Sequence, residues 1–116
     1  MFGKFIKLFR PRLSQEQLDC YFNRLPDSIQ VKWERDDKFI VGWVKEDGNE
    51  YMTQGMNAKD FIEMVNDVVY TMHDIPEEYR LAMKSYSPNE RAMRALKDNS
   101  IKSASIQVEK CVLANA

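Results

Sequence analysis

The sequence predicts an α+β domain: a three-stranded antiparallel sheet with a late fourth strand, covered by helices. Three observations carry that reading. Apolar residues alternate with polar ones over 29–34, an Asp47-Gly48 pair separates two strand-like runs, and a helical apolar stripe runs from Phe61 to Met72 ahead of Pro76. At 116 residues with 44% apolar side chains, the chain can bury a core without metals or disulfides. It divides into a basic amphipathic arm over 1–12 and one α+β domain over 13–116.

In the arm, Phe2, Phe5, Ile6 and Phe9 recur at helical spacing with Lys4, Lys7 and Arg10 opposite, and Pro11 ends the pattern. With Arg12, these residues form a candidate contact for a membrane surface or an acidic partner, because interfacial helices bury aromatics and attract anions through cations. The competing reading packs the same phenylalanines on the domain or on a sister subunit. Ser14 and Gln17 then make a capping box, and Leu13 can meet Leu18 as a staple. A helix is expected from about residue 14, with Leu18, Tyr21, Phe22 and Leu25 along one stripe before Pro26.

Ile29, Val31 and Trp33 alternate with Gln30, Lys32 and Glu34, the signature of a half-buried strand. Asp36-Asp37 is expected to turn the chain; as a two-residue loop it sets Val31 opposite Gly42 and Trp33 opposite Ile40. The run 39–44 is apolar at both parities and reads as a central strand covered on both faces. Ile29, Val31, Trp33, Ile40 and Val44 then share one side, and Phe39, Val41 and Trp43 the other. Asp47-Gly48 signals a hairpin into a third strand at about 50–54. A two-residue loop places Tyr51 beside Val44, whereas a bulged three-residue loop exchanges Tyr51 and Met52.

Gly55 permits a sharp exit from that strand, and Asn57 with Asp60 supplies a cap and an acidic first turn for a helix. Phe61, Val65, Val68, Val69 and Met72 form its buried face, with Lys59, Glu63 and Asp67 toward solvent. Residues 77–86 are moderately helical. Ser87-Pro88-Asn89-Glu90 reads as a serine-capped helix start, after which Ala92, Met93, Ala95 and Leu96 face the body. Finally Ala104, Ile106 and Val108 alternate with Ser103, Ser105 and Gln107, a strand expected to join an edge of the sheet.

Charge narrows the function. Seventeen basic residues against eighteen acidic ones give −1, and the portion 13–116 carries 13 against 18. That balance lacks the positive field of a nucleic-acid coat. Cys20 and Cys111 lie far apart without a CxxC spacing, which predicts buried thiols in a reducing compartment and so a cytoplasmic location, peripheral at the membrane if the arm binds lipid. Residues 1–9 are too short to span a bilayer and lack a leader's cleavage site, and glycine stands at position 3 rather than 2, against myristoylation.

No catalytic, metal or cofactor site is expected. His73 is the single histidine and falls at a helix end, where the dipole favours a cation and a structural role. Asp36-Asp37 and Glu77-Glu78 occupy a turn and a helix start, where carboxylates cap. Trp33, Phe39, Trp43 and Tyr51 suggest a stacking platform for RNA, but on an acidic body without an RNP pattern they are expected to fill the layer between sheet and helices. Of the methionines, Met52, Met56, Met64, Met72, Met83 and Met93 are expected to be mainly core fillers, with a partner surface as the alternative. The strand at 51–54, or the late strand near Ile106, is a candidate edge for receiving a strand from another chain.

The segment 39–54, followed by Thr53-Gln54-Gly55, a short gap and the helix 58–72, resembles HicB-like antitoxins, whose partial RNase H-like core runs β-β-β-α-β. The resemblance covers about residues 29–75, with the strand near Ile106 as the last element. Where such chains carry a Pro-Asp-Leu-Pro-Gly-like segment, this one reads Asn49-Glu50-Tyr51-Met52, and 77–116 shows no ribbon-helix-helix or helix-turn-helix pattern. The resemblance implies a non-catalytic, oligomeric module that occludes a small protein, such as an RNA-cleaving toxin. Trp43, Tyr51, Met52 and Gln54 are the candidate partner-binding residues. The alternatives are a peripheral membrane adaptor using the arm, an orphan small oligomeric protein, and a small enzyme working through carboxylates gathered beside His73.

Overall fold

The computed structural model describes residues 15–83 and 86–111. The arm residues Phe2, Lys4, Phe5, Lys7, Phe9, Arg10 and Arg12, and the Ser14 cap, lie outside the described residues. The elements run α1 (Gln15–Arg24), β1 (Ser28–Asp36), β2 (Phe39–Glu46), β3 (Asn49–Gly55), α2 (Ala58–Met72), α3 (Glu77–Arg80), β4 (Tyr86–Pro88), α4 (Glu90–Lys97) and β5 (Ser103–Lys110). The strands form one antiparallel sheet in the order β3-β2-β1-β5-β4. The fold is therefore α+β as predicted, with five strands where four were expected.

Register follows from the turns. Asp37 has φ 55° and the hairpin closes with Asp36 opposite Phe39, so Asp37-Lys38 forms the turn rather than Asp36-Asp37. Val31 consequently faces Val44, and Trp33 faces Gly42. This corrects the expected pairing by two residues, a shift that leaves every side chain on its predicted side. At the next hairpin both Asp47 (φ 50°) and Gly48 (φ 78°) are left-handed, the conformation of a primed two-residue turn, and Tyr51 pairs with Val44.

The inner face of the sheet carries Ile29, Val31, Trp33, Ile40, Val44, Ile106 and Val108, all buried in one cluster with Leu18 and Leu25 from the first helical segment, Phe61, Val65 and Val69 of α2, Tyr79 of α3 and Leu96 of α4. Trp33 is fully buried because its cross-strand neighbours are small: Gly42 on one side and Ala104 on the other. The outer face has no such cover among the described residues. Phe39 is 41% exposed, and Val41 and Trp43 are half-buried, so the expectation of a strand covered on both faces is corrected to cover on one.

Helix α2 begins as predicted: Asn57 Oδ1 accepts from the Asp60 amide at 2.8 Å, and Asp60 Oδ2 accepts from the Met56 amide at 2.9 Å. Phe61, in its first turn, lies over two glycines. A Cβ at Gly42 would stand 2.7 Å from Phe61 Cε1 and closer still to Cζ, and one at Gly55 would stand 2.9 Å from Phe61 Cβ and closer to its backbone. The missing side chains are what let α2 sit against β2 and β3.

Between α2 and α4 the structure departs from the sequence reading. Among the described residues of that segment only Glu77–Arg80 is helical, and Tyr86–Pro88 pairs with the end of β5. The cap of α4 is Asn89, whose side chain accepts from the Ala92 amide at 2.7 Å, not Ser87. Asn66 of α2 explains the extra strand: its amide accepts from Tyr86 N at 2.8 Å and donates to Tyr86 O at 3.0 Å, copying a neighbouring strand with one side chain. Lys110 closes α1 in a similar way, donating to the carbonyls of Phe22 (3.1 Å) and Leu25 (2.9 Å).

The two glycines make separable demands on Phe61. Gly42→Ala meets mainly the Phe61 ring, with the Lys32 carbonyl oxygen 3.2 Å away, and should cost about 2 kcal/mol, whereas Gly55→Ala meets the helix backbone and should cost about 3 kcal/mol or more. In a Phe61→Leu background, urea midpoints should show the Gly42→Ala penalty largely relieved and that of Gly55→Ala retained. Equal relief of both would contradict this packing.

Candidate protein-binding face

The alternation that buries one row of each strand exposes the other. On β1 and β5 the outer row is Ser28, Gln30, Lys32, Ser103, Ser105 and Gln107, all exposed. On β2 and β3 it turns apolar: Phe39, Val41 and Trp43, with Met52 directly opposite Trp43 and Gln54 opposite Val41. Met52 is 68% exposed. Glu34, Asp36 and Glu50 border this stripe in the outer row, along with Lys32 and Lys45, and Lys45 pairs with Glu50 at 3.6 Å. The result is a band of rings and a thioether on an otherwise polar face, rimmed by three carboxylates and two lysines.

Three of the four predicted partner-binding residues, Trp43, Met52 and Gln54, come together here. Tyr51 does not, since the two-residue turn places it opposite Val44, on the inner side, where it is 42% exposed at the sheet's rim. Phe39 and Val41 join the face without having been singled out for it. The signal was present in their parity: the residues facing them on β1, Glu34 and Asp36, are charged, which argues for an open side.

The aromatic platform is split by the same alternation. Trp33 is buried inside, Tyr51 is on the inner rim, and Phe39 and Trp43 lie outside, so the four rings share no surface, and Phe39 and Trp43 do not fill the layer between sheet and helices. The methionines also differ from expectation. Met83 is buried, Met72 and Met93 are half-buried, and Met52, Met56 and Met64 are exposed.

The remaining polar candidates are occupied by the fold. His73, at the end of α2, holds Glu46 at the end of β2, Nε2 to Oε1 2.6 Å, with the side chains only 25% and 11% exposed. Glu46 was not foreseen as its partner; only the hairpin register places it there. A cleft of 540 Å³ at the other end of the sheet is lined by Arg35, Lys38, Lys97 and Lys102. Arg35, however, donates to the carbonyls of Leu96 (2.9 Å), Asp98 (3.0 Å) and Ile101 (3.0 Å), so its guanidinium closes α4. Asp98 accepts from both the hydroxyl and the amide of Ser100, which hold its carboxyl below the usual carboxylate range. Burial pushes the Tyr86 hydroxyl, which donates to Pro26 O, well above the usual tyrosine range. Among the described residues no three His, Cys, Asp or Glu side chains are placed to hold a metal ion, and no helix is long and apolar enough to cross a membrane.

Because the His73–Glu46 link is largely buried, removing either end strands the other. Glu46→Leu and His73→Phe should each lower stability by about 1–3 kcal/mol, and the double variant by less than their sum, with a coupling near 1 kcal/mol in a double-mutant cycle read from chemical denaturation. Strict additivity would show that the contact carries no energy. Comparisons of the chain with family models, curated proteins and solved structures find no match.

Proposed function

We propose that this chain is a non-catalytic protein-binding module that contacts its partner through the outer sheet face centred on Trp43 and Met52. The observation that carries the reading is the apolar stripe of Phe39, Val41, Trp43 and Met52 on a strand face that is otherwise serine, glutamine and charge. Folded chains place exposed rings and methionines together where another surface covers them. The partner is a small protein with a basic surface. The rim supplies Glu34, Asp36 and Glu50, and residues 13–116 carry 18 acidic against 13 basic side chains. The likeness to HicB-like antitoxin cores adds a class, an RNA-cleaving toxin occluded by this face.

The test begins with the full chain purified from its native host together with any stoichiometric companion. If the companion is a small basic protein, Trp43→Ala should weaken the purified pair by about 30-fold or more, and Met52→Glu should do the same. Serine-row changes such as Ser105→Ala should leave affinity within about twofold. Undiminished binding by both face variants overturns the assignment. So does recovery of the chain alone in a membrane fraction from which deletion of residues 1–12 releases it, the result expected of a peripheral membrane adaptor.

A further inference from the structure

The two edges of the sheet are built differently. At the β4 edge, Asn66 occupies both the amide and the carbonyl of Tyr86, Pro88 has no N–H to offer, and the strand is three residues long. These are devices that keep a sheet edge from recruiting another strand. The β3 edge has none of them. It is seven residues long, Asn49-Glu50-Tyr51-Met52-Thr53-Gln54-Gly55, with no proline, no lysine and no bulge in its pairing to β2.

Hairpin geometry says which backbone groups that edge presents. A primed two-residue turn closes on a hydrogen-bonded pair, here Glu46 with Asn49, and antiparallel strands alternate from there. Tyr51 and Thr53 therefore bond back to Val44 and Gly42, while the N–H and C=O groups of Glu50, Met52 and Gln54 point away from the sheet. Among the described residues no hydrogen bond reaches them.

We propose that this edge pairs with the same edge of a second copy of the chain, β3 antiparallel to β3, about a two-fold axis through Met52. Only that register pairs all the outward groups without opposing like charges. Glu50 lies opposite Gln54 of the other copy, Met52 opposite Met52 and Gln54 opposite Glu50, forming about six inter-chain hydrogen bonds. A two-fold through Glu50 would face carboxylate with carboxylate, and one through Gln54 would leave the Glu50 groups unpaired. Tyr51, 42% exposed on the inner rim, then packs beside Thr53 of the other copy. Two five-stranded sheets become one of ten strands.

The same register has a consequence on the outer face. Trp43 is opposite Met52 within one chain, so the cross-strand row continues as Trp43, Met52, Met52, Trp43 over four strands, bounded at each end by Lys32. Two half-stripes merge into one apolar ladder. The pairing depends on the backbone of β3 and stands whether or not the outer face receives a different protein.

Sedimentation of the full-length chain should give a mass twice 13.7 kDa that falls toward one chain on dilution. Met52→Pro removes an outward N–H and leaves the β2–β3 bonds intact, so it should give a single-chain mass with an unchanged circular dichroism spectrum. In a Cys20→Ser/Cys111→Ser background, Met52→Cys should form an inter-chain disulfide on mild oxidation, because facing Cα atoms of such a pair stand about 5.5 Å apart. Glu50→Cys, several residues from its own copy, should not. If the proline variant loses its fold, the two cysteine variants decide alone. A single-chain mass for the natural sequence, a double mass that Met52→Pro leaves untouched in a folded protein, or cross-linking through Glu50→Cys rather than Met52→Cys overturns the proposal.

Discussion

The position of α2 against the sheet depends on Phe61 lying over Gly42 and Gly55. Its ring is fully buried, it belongs to the first turn of the helix, and both glycines sit where any side chain would push that turn outward. Everything downstream inherits the placement. Val65 and Val69 follow on the same stripe and complete the layer over Val44 and Val31, and Asn66 on the flank reaches the backbone of Tyr86. A helix displaced by one methyl-sized step would leave Asn66 short of β4 and His73 short of Glu46, because hydrogen bonds weaken steeply beyond about 3.2 Å. Close packing at one end of α2 thus fixes polar contacts at its middle and its far end.

Those contacts show how the described part of the chain spends its polar groups. Arg35 closes the carbonyl end of α4, Lys110 that of α1, Asn57 and Asp60 the amide end of α2, and Asn66 the outer edge of β4. Each satisfies backbone groups that would otherwise lose their partners at the end of an element. In three of these pairings, Arg35 with α4, Lys110 with α1 and Asn66 with β4, the side chain lies 20 or more residues from the group it caps. Capping here is therefore tertiary structure as much as local structure. Arg35 in the cleft and the single histidine both hold element ends together.

That distinction explains what was legible. Parity was, because the period of two is local: the five residues assigned to one side of β1 and β2 are all inside. Register was not, because moving the turn from Asp36-Asp37 to Asp37-Lys38 slides the pairing by two and leaves every residue on the same side. The cap and turn of α2 were legible from Asn57, Asp60 and Gly55. The strand at Tyr86–Pro88 was not, because three residues carry no periodicity and its partner on the open side is an asparagine side chain from another element. Trp43, Met52 and Gln54 share the outer face, whereas Tyr51 lies on the inner side because the turn has two residues, one of the two registers that the sequence left open. Phe39 and Val41 were read as covered because an apolar strand does not say which of its neighbours reach across it.

The energetics of the outer stripe set the kind of contact it can make. Burying a Val, Phe, Met or Trp side chain completely is worth about 2 kcal/mol each, and Val41 and Trp43 are already half-covered by their neighbours. With Phe39 only 41% exposed and Met52 68%, one chain therefore offers roughly 3 kcal/mol of unclaimed apolar burial. Association costs on the order of 4–15 kcal/mol in lost freedom, so this stripe by itself supports only weak contact unless charge or hydrogen bonding adds to it. Two sources are at hand: the carboxylates of Glu34 and Asp36 on the neighbouring β1 and Glu50 on β3, and the outward backbone groups of Glu50, Met52 and Gln54 at the edge. Both adjoin the stripe because β3 is at once the edge strand and the carrier of Met52. A sheet with its apolar outer residues on central strands would hold them away from any free backbone. Here the exposed thioether and the open hydrogen-bond edge belong to the same residue.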